Sequence, residues 1–188
     1  LINKDNCKVT LFENAFEHSD ILFQKIKKKT KWRKDQISLF GKTMPIPRQQ
    51  SWYADPGLTY TYSKLTLAPN SWYAELLELK GLCEKLAGIN FNGVLINLYE
   101  TGKDYSAWHS DDEKELGMNP CIASVSLGAT RSFHLREKKQ METTKIDLPN
   151  ASILLMEGAT QHIYKHQLAK TMRAVEPRVN LTFRKVIS

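Results

Sequence analysis

RVNLTFR (178–184) alternates without a fault. Val179, Leu181 and Phe183 fall on one side of an extended chain, and Arg178, Asn180, Thr182 and Arg184 on the other, because residues i and i+2 of a strand share a face. A strand with one face in water reads the same way, so the question is whether the polar face has company. It does. INLY (96–99) sets Asn97 and Tyr99 opposite Ile96 and Leu98. Two arginines, two amides, a hydroxyl and a phenol aimed into one cavity suit a small dicarboxylate, since a guanidinium meets a carboxylate through two parallel hydrogen bonds.

Outward from this strand the period of two recurs. GVLINLY (93–99), CIASVSLG (121–128), RSFHLR (131–136), TKIDL (144–148), ASILLME (151–157), HIYKHQL (162–168) and RVNLTFRKV (178–186) all read as strands, as does GLTYTYSKLTL (57–67). The period of 3.6 is confined to two stretches. Residues 18–34 carry apolar Ile21, Leu22 and Ile26 and then turn basic, which suits a helix C-terminus. Residues 71–88 place Leu76, Leu79, Leu82, Cys83 and Leu86 on one stripe between a capping Ser71 and a terminating Gly88. Many short strands after an N-terminal α/β part predict a mostly β domain: a two-sheet jelly roll with helices packed on one side.

The 188 residues fit one domain with a sizeable core. No apolar run reaches the roughly 18 residues of a membrane helix, so no membrane partner is expected. Three cysteines without a C-x-x-C pair argue against a disulfide framework and for a reducing compartment. The net charge of +7 favours an anionic partner such as nucleic acid. The chain opens on Leu1, which leaves room for an upstream targeting segment.

Against that positive background, HSDDE (109–113) concentrates acid beside an imidazole. His109 and Asp111, two apart, converge on one side of an extended chain. A second histidine from a late strand, His162 or His166, would complete two imidazoles and a carboxylate, the facial set of non-haem Fe(II) oxygenases. Periodicity does not choose between the two, since they lie four apart.

The order N-x-Y, H-x-D, distal His, R-x-N-x-T-x-R resembles the AlkB family of Fe(II)/2-oxoglutarate dioxygenases. The likeness runs from about Phe40 to Ile187, and RVNLTFRK and HSDDE are its most specific parts. The resemblance implies a double-stranded β-helix in a single domain over 1–188, with 1–70 forming a nucleotide-recognition lid and 90–188 the catalytic core. It implies iron on His109, Asp111 and His166, whose separation from Arg178 is the one the family keeps. It implies 2-oxoglutarate on Asn97, Tyr99, Arg178, Asn180, Thr182 and Arg184, with O2 as the other co-substrate. The implied reaction is oxidative demethylation of 1-methyladenine and 3-methylcytosine in DNA, giving formaldehyde, succinate and CO2.

A base reaches a buried iron only by leaving the stack. By the same resemblance, Tyr62 stacks on the flipped base and Tyr60 hydrogen-bonds near it. Phe40 in LFGKTMPIPRQQ (39–50) wedges into the gap, with Arg48 and Gln50 beside the strand. Glu113 faces the base edge, and Asp112 pairs with an arginine at the rim. The expected partner is alkylated DNA, single- or double-stranded, or RNA. The expected enzyme is a monomer of the bacterial cytoplasm or eukaryotic nucleus. Two other readings compete: an oxygenase of the same fold acting on a protein or small molecule, and a non-catalytic nucleic-acid-binding barrel, which leaves the H-x-D, distal His and paired arginines unexplained.

Overall fold

Both faces of RVNLTFR are buried, and the layering of the domain is the reason. A computed structural model describes residues 1–39, 42–62 and 65–187, with the backbone alone at 37–39, 42–43, 60–62 and 65–67. β15 (Arg178–Arg184) is an inner strand of a seven-stranded antiparallel sheet. Its order is β1 (Ile2–Lys4), β2 (Cys7–Phe12), β13 (Ser152–Gly158), β10 (Ile122–Gly128), β15, β8 (Gly93–Tyr99) and β5 (Gln49–Ala54). A four-stranded sheet, β12 (Thr143–Leu148), β11 (Arg131–Glu137), β14 (Tyr164–Leu168) and β9 (Ser106–His109), lies against one face. Two hairpins, β3 (Gln36–Leu39) with β4 (Lys42–Pro45) and β6 (Tyr60–Tyr62) with β7 (Leu65–Leu67), stand apart from both sheets.

The other face of the large sheet carries α1 (Ser19–Lys29) and α2 (Ala74–Ala87). Leu22, Ile26, Leu76, Leu79 and Cys83 of the helices pack against Val94, Ile96, Val125, Ile153, Val179, Leu181 and Phe183 of the sheet. Each fully buried aliphatic or aromatic side chain there contributes roughly 1.5–3 kcal/mol. Between the sheets a second core joins Leu95, Ile122, Leu154 and Met156 to Phe133, Leu135, Ile146 and Leu148. The inward face is thus apolar at one end and polar at the other. That is the jelly roll expected from the strand count.

Several local expectations need correction. The first helix stops at Lys29, not residue 34, because Arg33 leaves helical geometry to bridge Gln50 of the large sheet. α2 begins after Tyr73, so Ser71 is not its cap; Gly88, left-handed at φ 69°, does end it, its N–H reaching the Glu84 carbonyl. The run 57–67 is two short strands rather than one. In HIYKHQL the first two residues belong to the short helix α3 (Thr160–Ile163), and only Tyr164–Leu168 is strand. Residues 1–70 also supply β1, β2 and β5 to the large sheet.

Candidate active site

Strand register assembles the polar end of the barrel. On β15 and β8, Arg178 lies opposite Tyr99 and Asn180 opposite Asn97. On β10, Ser126 lies opposite Asn180 and Ser124 opposite Thr182. All of these side chains except Ser126 line one cleft, and His109, Asp111, His166, Arg184 and Arg48 line it too.

At one end of the cleft three donor atoms converge. His109 Nε2 and His166 Nε2 are 3.1 Å apart, and Asp111 Oδ1 lies 3.8 Å from the first and 4.0 Å from the second. A point equidistant from these three lies about 2.1 Å from each, the length of a first-row metal bond to imidazole. Pairing of His166 with His109 across β14 and β9 brings the two rings together. His109 Nδ1–H donates to the Ala107 carbonyl at 2.7 Å, which fixes Nε2 as the lone-pair nitrogen that faces its neighbours. The Asp111 backbone N–H donates to Gln161 Oε1 at 3.0 Å, and the Phe133 ring stacks on His166 with centroids 5.3 Å apart.

The carboxylate of Asp111 is 1% exposed. Arg184 Nε and Nη2 both donate to its Oδ2, at 3.0 and 2.8 Å. Oδ1, facing the two imidazoles, has no hydrogen-bond partner among the described residues. A buried carboxylate oxygen without a partner is costly unless a cation takes it. Two neutral imidazoles and this oxygen fit a divalent first-row metal. Burial works most strongly against the ionised Asp111, but Arg184 and the two neighbouring imidazoles together outweigh it and hold the carboxyl at about 2. Burial drives His166 down to about 3, with the neighbouring His109 adding to the effect, and lowers His109 as well.

These shifts make the metal-free protein acid-sensitive in a defined window. His166 binds its proton at about 3 when folded and near 6.5 otherwise, so the unfolded chain takes up the proton first as pH falls. The stabilisation is complete above pH 6.5 and declines from 6.5 towards 3, by up to about 1.4 kcal/mol per pH unit. Asp111 adds to the loss only below its ordinary 3.8. Urea midpoints of the metal-free protein should therefore fall steadily between pH 6.5 and 4. A flat profile over that interval would contradict the buried, neutral His166.

The far end of the cleft is cationic. Arg178, 2% exposed, donates from Nη2 to Ser126 Oγ at 2.8 Å, and its Nε has no partner among the described residues. Its guanidinium lies 5.6 Å from the Tyr99 ring centroid. Burial lowers its proton affinity to about 10. Asn180 donates to Ser124 Oγ and the Val125 carbonyl and accepts from Thr182 Oγ1, which fixes both side chains. A buried cation at one end and a metal-type donor set at the other span one cleft.

The substrate-side expectations fare less evenly. Arg48 is buried in the cleft, donating from Nε to Asn97 Oδ1 at 2.7 Å and from Nη1 to the Tyr105 carbonyl, rather than lying out along a strand. Gln50 is fully buried and donates to Asp35 Oδ2 at 3.0 Å; it is a packing residue and not a surface contact. Asp112 pairs with Lys138 at 3.6 Å, not with an arginine. Glu113 is half-buried next to the triad. Tyr60 and Tyr62 are paired in a hairpin, with only their backbone described, and Phe40 lies outside the described residues. Gln161 carries no periodic or motif signal, and Phe133 and Ser126 lie in stretches read as strands without any spacing that marks them as site residues.

A jelly roll with two histidines and an aspartate at one end of its cleft and a buried arginine at the other defines the class of iron- and 2-oxo-acid-dependent oxygenases. Residues 9–184 match the model of the 2OG-Fe(II) oxygenase superfamily. The chain is 41% identical over 180 residues to the bovine alpha-ketoglutarate-dependent dioxygenase alkB homolog 3, covering 90% of this chain and 62% of that protein. It is 37% identical to the bovine DNA oxidative demethylase ALKBH2, covering 97% of this chain and 69% of that one. A solved structure, "The structure of OsALKBH1", superposes with a TM-score of 0.70 over 98% of this chain and all of that one at 16% identity, a likeness of fold. The chain therefore belongs to the AlkB family of the 2OG-Fe(II) oxygenases, whose cofactor and co-substrates are Fe(II), 2-oxoglutarate and O2. It spans about three-fifths of the length of the alkB homolog 3 relative. Among the described residues, no helix is long and apolar enough to cross a membrane.

Proposed function

We propose that this chain is an oxidative demethylase of alkylated bases, 1-methyladenine and 3-methylcytosine, in DNA. The observation that supports it most is Asp111 Oδ1, without a hydrogen-bond partner among the described residues, between two imidazoles in the same cleft as the buried Arg178. The names of the relatives, one of them a DNA oxidative demethylase, support a nucleic-acid substrate.

In this reading His109, Asp111 and His166 hold Fe(II). Arg178 takes the distal carboxylate of 2-oxoglutarate. Asn97, Tyr99, Asn180 and Thr182 set its orientation, and Arg184 steadies Asp111 and meets the metal-side carboxylate. When bound, Fe(II) with 2-oxoglutarate and O2 supplies the oxidising power that hydroxylates the N-methyl group, which then leaves as formaldehyde. The chain's share is positional: it fixes the donor tautomer through Ala107, excludes water with Phe133, Leu95 and Met156, and aims the methyl carbon. Tyr62 and Tyr60 cover the flipped base, Glu113 faces its edge, and Arg48 approaches it from within the cleft. The enzyme acts as a monomer where nucleic acid is kept, the bacterial cytoplasm or eukaryotic nucleus.

The deciding experiment combines iron content with 2-oxoglutarate turnover, with and without methylated oligonucleotide, in single-stranded DNA, duplex DNA and RNA arms. Stimulation of turnover and release of formaldehyde with a methylated strand are expected. Iron-dependent turnover that no nucleic acid stimulates would move the substrate to a protein or small molecule. A finer prediction concerns the wedge: Phe40→Ala should lower activity on duplex DNA about tenfold and on single strands little, since an intercalating ring offsets unstacking only in a duplex. Equal loss on both, with a large drop in Tm, would make Phe40 a core residue.

A further inference from the structure

Arg131, at the start of β11, lies outside the cleft lining yet is only 3% exposed. Its two terminal nitrogens bond to backbone carbonyls. Nη1 reaches the Thr101 carbonyl at 3.2 Å, and Nη2 reaches those of Asp104 at 2.9 Å and Ala169 at 2.8 Å. No carboxylate among the described residues is bonded to it. The nearby Asp104 turns its Oδ2 to the Glu100 and Thr101 N–H groups instead. The guanidinium also stands 5.9 Å from the Tyr99 ring centroid, the same ring that Arg178 approaches at 5.6 Å.

The three carbonyls belong to places that matter for the site. Thr101 and Asp104 lie in the loop that leaves β8 after Asn97 and Tyr99 and enters β9 before His109. Ala169 follows directly on β14, the strand of His166. The same two segments meet again where the Thr171 N–H donates to the Gly102 carbonyl at 2.9 Å. One planar fork therefore joins the loop after Tyr99 to the strand end after His166, and its charge adds to that of Arg178 behind a shared phenol ring.

We propose that Arg131 is a positioning residue for the dicarboxylate end of the cleft: it clasps the 101–104 loop to Ala169, seats Tyr99, and supplies a second buried positive charge that favours a co-substrate with a distal carboxylate. The inference rests on the proposed reading of the cleft as a 2-oxoglutarate site. Lysine keeps the charge but cannot reproduce the fork, and glutamine keeps neither.

The test is titration of the iron-loaded protein with 2-oxoglutarate and with succinate, together with 2-oxoglutarate turnover without nucleic acid, in wild type, Arg131→Lys and Arg131→Gln. Arg131→Gln should raise Kd for both dicarboxylates and KM for 2-oxoglutarate about tenfold, with kcat at saturation within about twofold of wild type, the pattern of lost binding rather than lost chemistry. Arg131→Lys should fall between, at about threefold. Iron affinity should be unchanged in both. Wild-type dicarboxylate affinity in the lysine and glutamine proteins overturns the proposal, as does a parallel loss of iron affinity, kcat and dicarboxylate affinity, which marks general loosening. If Arg131→Gln does not fold, an unchanged Kd in Arg131→Lys still overturns it. A wild-type protein that binds no 2-oxoglutarate overturns the proposed function itself.

Discussion

Arg178→Met should weaken 2-oxoglutarate binding about a hundredfold or more, because it removes the buried cation proposed to take a carboxylate. The same change should cost the unliganded fold almost nothing. Among the described residues Arg178 makes one side-chain hydrogen bond, to Ser126 Oγ, its Nε has no partner, and burial already disfavours its charge, lowering its proton affinity to about 10. Methionine fills similar space without that penalty. The informative measurement is therefore a pair of melting curves. Wild type should gain Tm with 2-oxoglutarate, as any ligand that binds only the native state requires, whereas the variant should start level with wild type and gain little. A variant that keeps the ligand-induced shift would remove Arg178 from the cofactor site. Arg184 offers a contrast. Its guanidinium is committed to Asp111 Oδ2, so Arg184→Met leaves a buried carboxylate poorly matched and should reduce metal affinity and stability together.

Where the sequence was legible, it was through period. β15 and β8 announce both of their faces because the helices cover Val179, Leu181 and Phe183 while the small sheet encloses Arg178, Asn180, Thr182 and Arg184. An inner strand whose one face lines a polar cleft imitates a solvent-facing strand. Only the second strand with the same pattern, and then the family resemblance, separates the two. What stayed hidden has physical causes. β5 reads QQSWYA, with no alternation, because Gln50 is held inside by Asp35 and Ser51 is also buried. β9 is four residues long, too short for a period to show, yet it delivers His109. Gln161 and Arg131 act by bonding to backbone groups far along the chain, and such contacts leave no trace in local spacing. Glutamine and arginine near an active site are then read as substrate contacts, as Gln50 was, when tertiary packing has turned them inward.

The choice between His162 and His166 is where structure adds most to sequence. Both follow EGATQ (157–161), and four residues separate them, so they share a face on strand or helix alike. The chain resolves this by changing conformation between them. Thr160–Ile163 forms a helical turn, which leaves His162 exposed, its Nε2 accepting from the Asn119 N–H at 3.3 Å. From Tyr164 the backbone is strand, and His166, 5% exposed, faces inward with its Nε2 3.1 Å from that of His109. His166→Ala removes one of three donors and leaves Asp111 Oδ1 still without a hydrogen-bond partner among the described residues. Iron content after loading should fall to background and 2-oxoglutarate turnover should vanish, while 2-oxoglutarate-independent folding survives with some loss of Tm from the cavity beside Phe133. His162→Ala should retain at least about half of both iron content and turnover, since the bond it loses is to a loop N–H and is worth about 1 kcal/mol. Iron retained in His166→Ala and lost in His162→Ala would require β14 to pair with β9 in a different register, and the convergence of His109, Asp111 and His166 would then have to be abandoned.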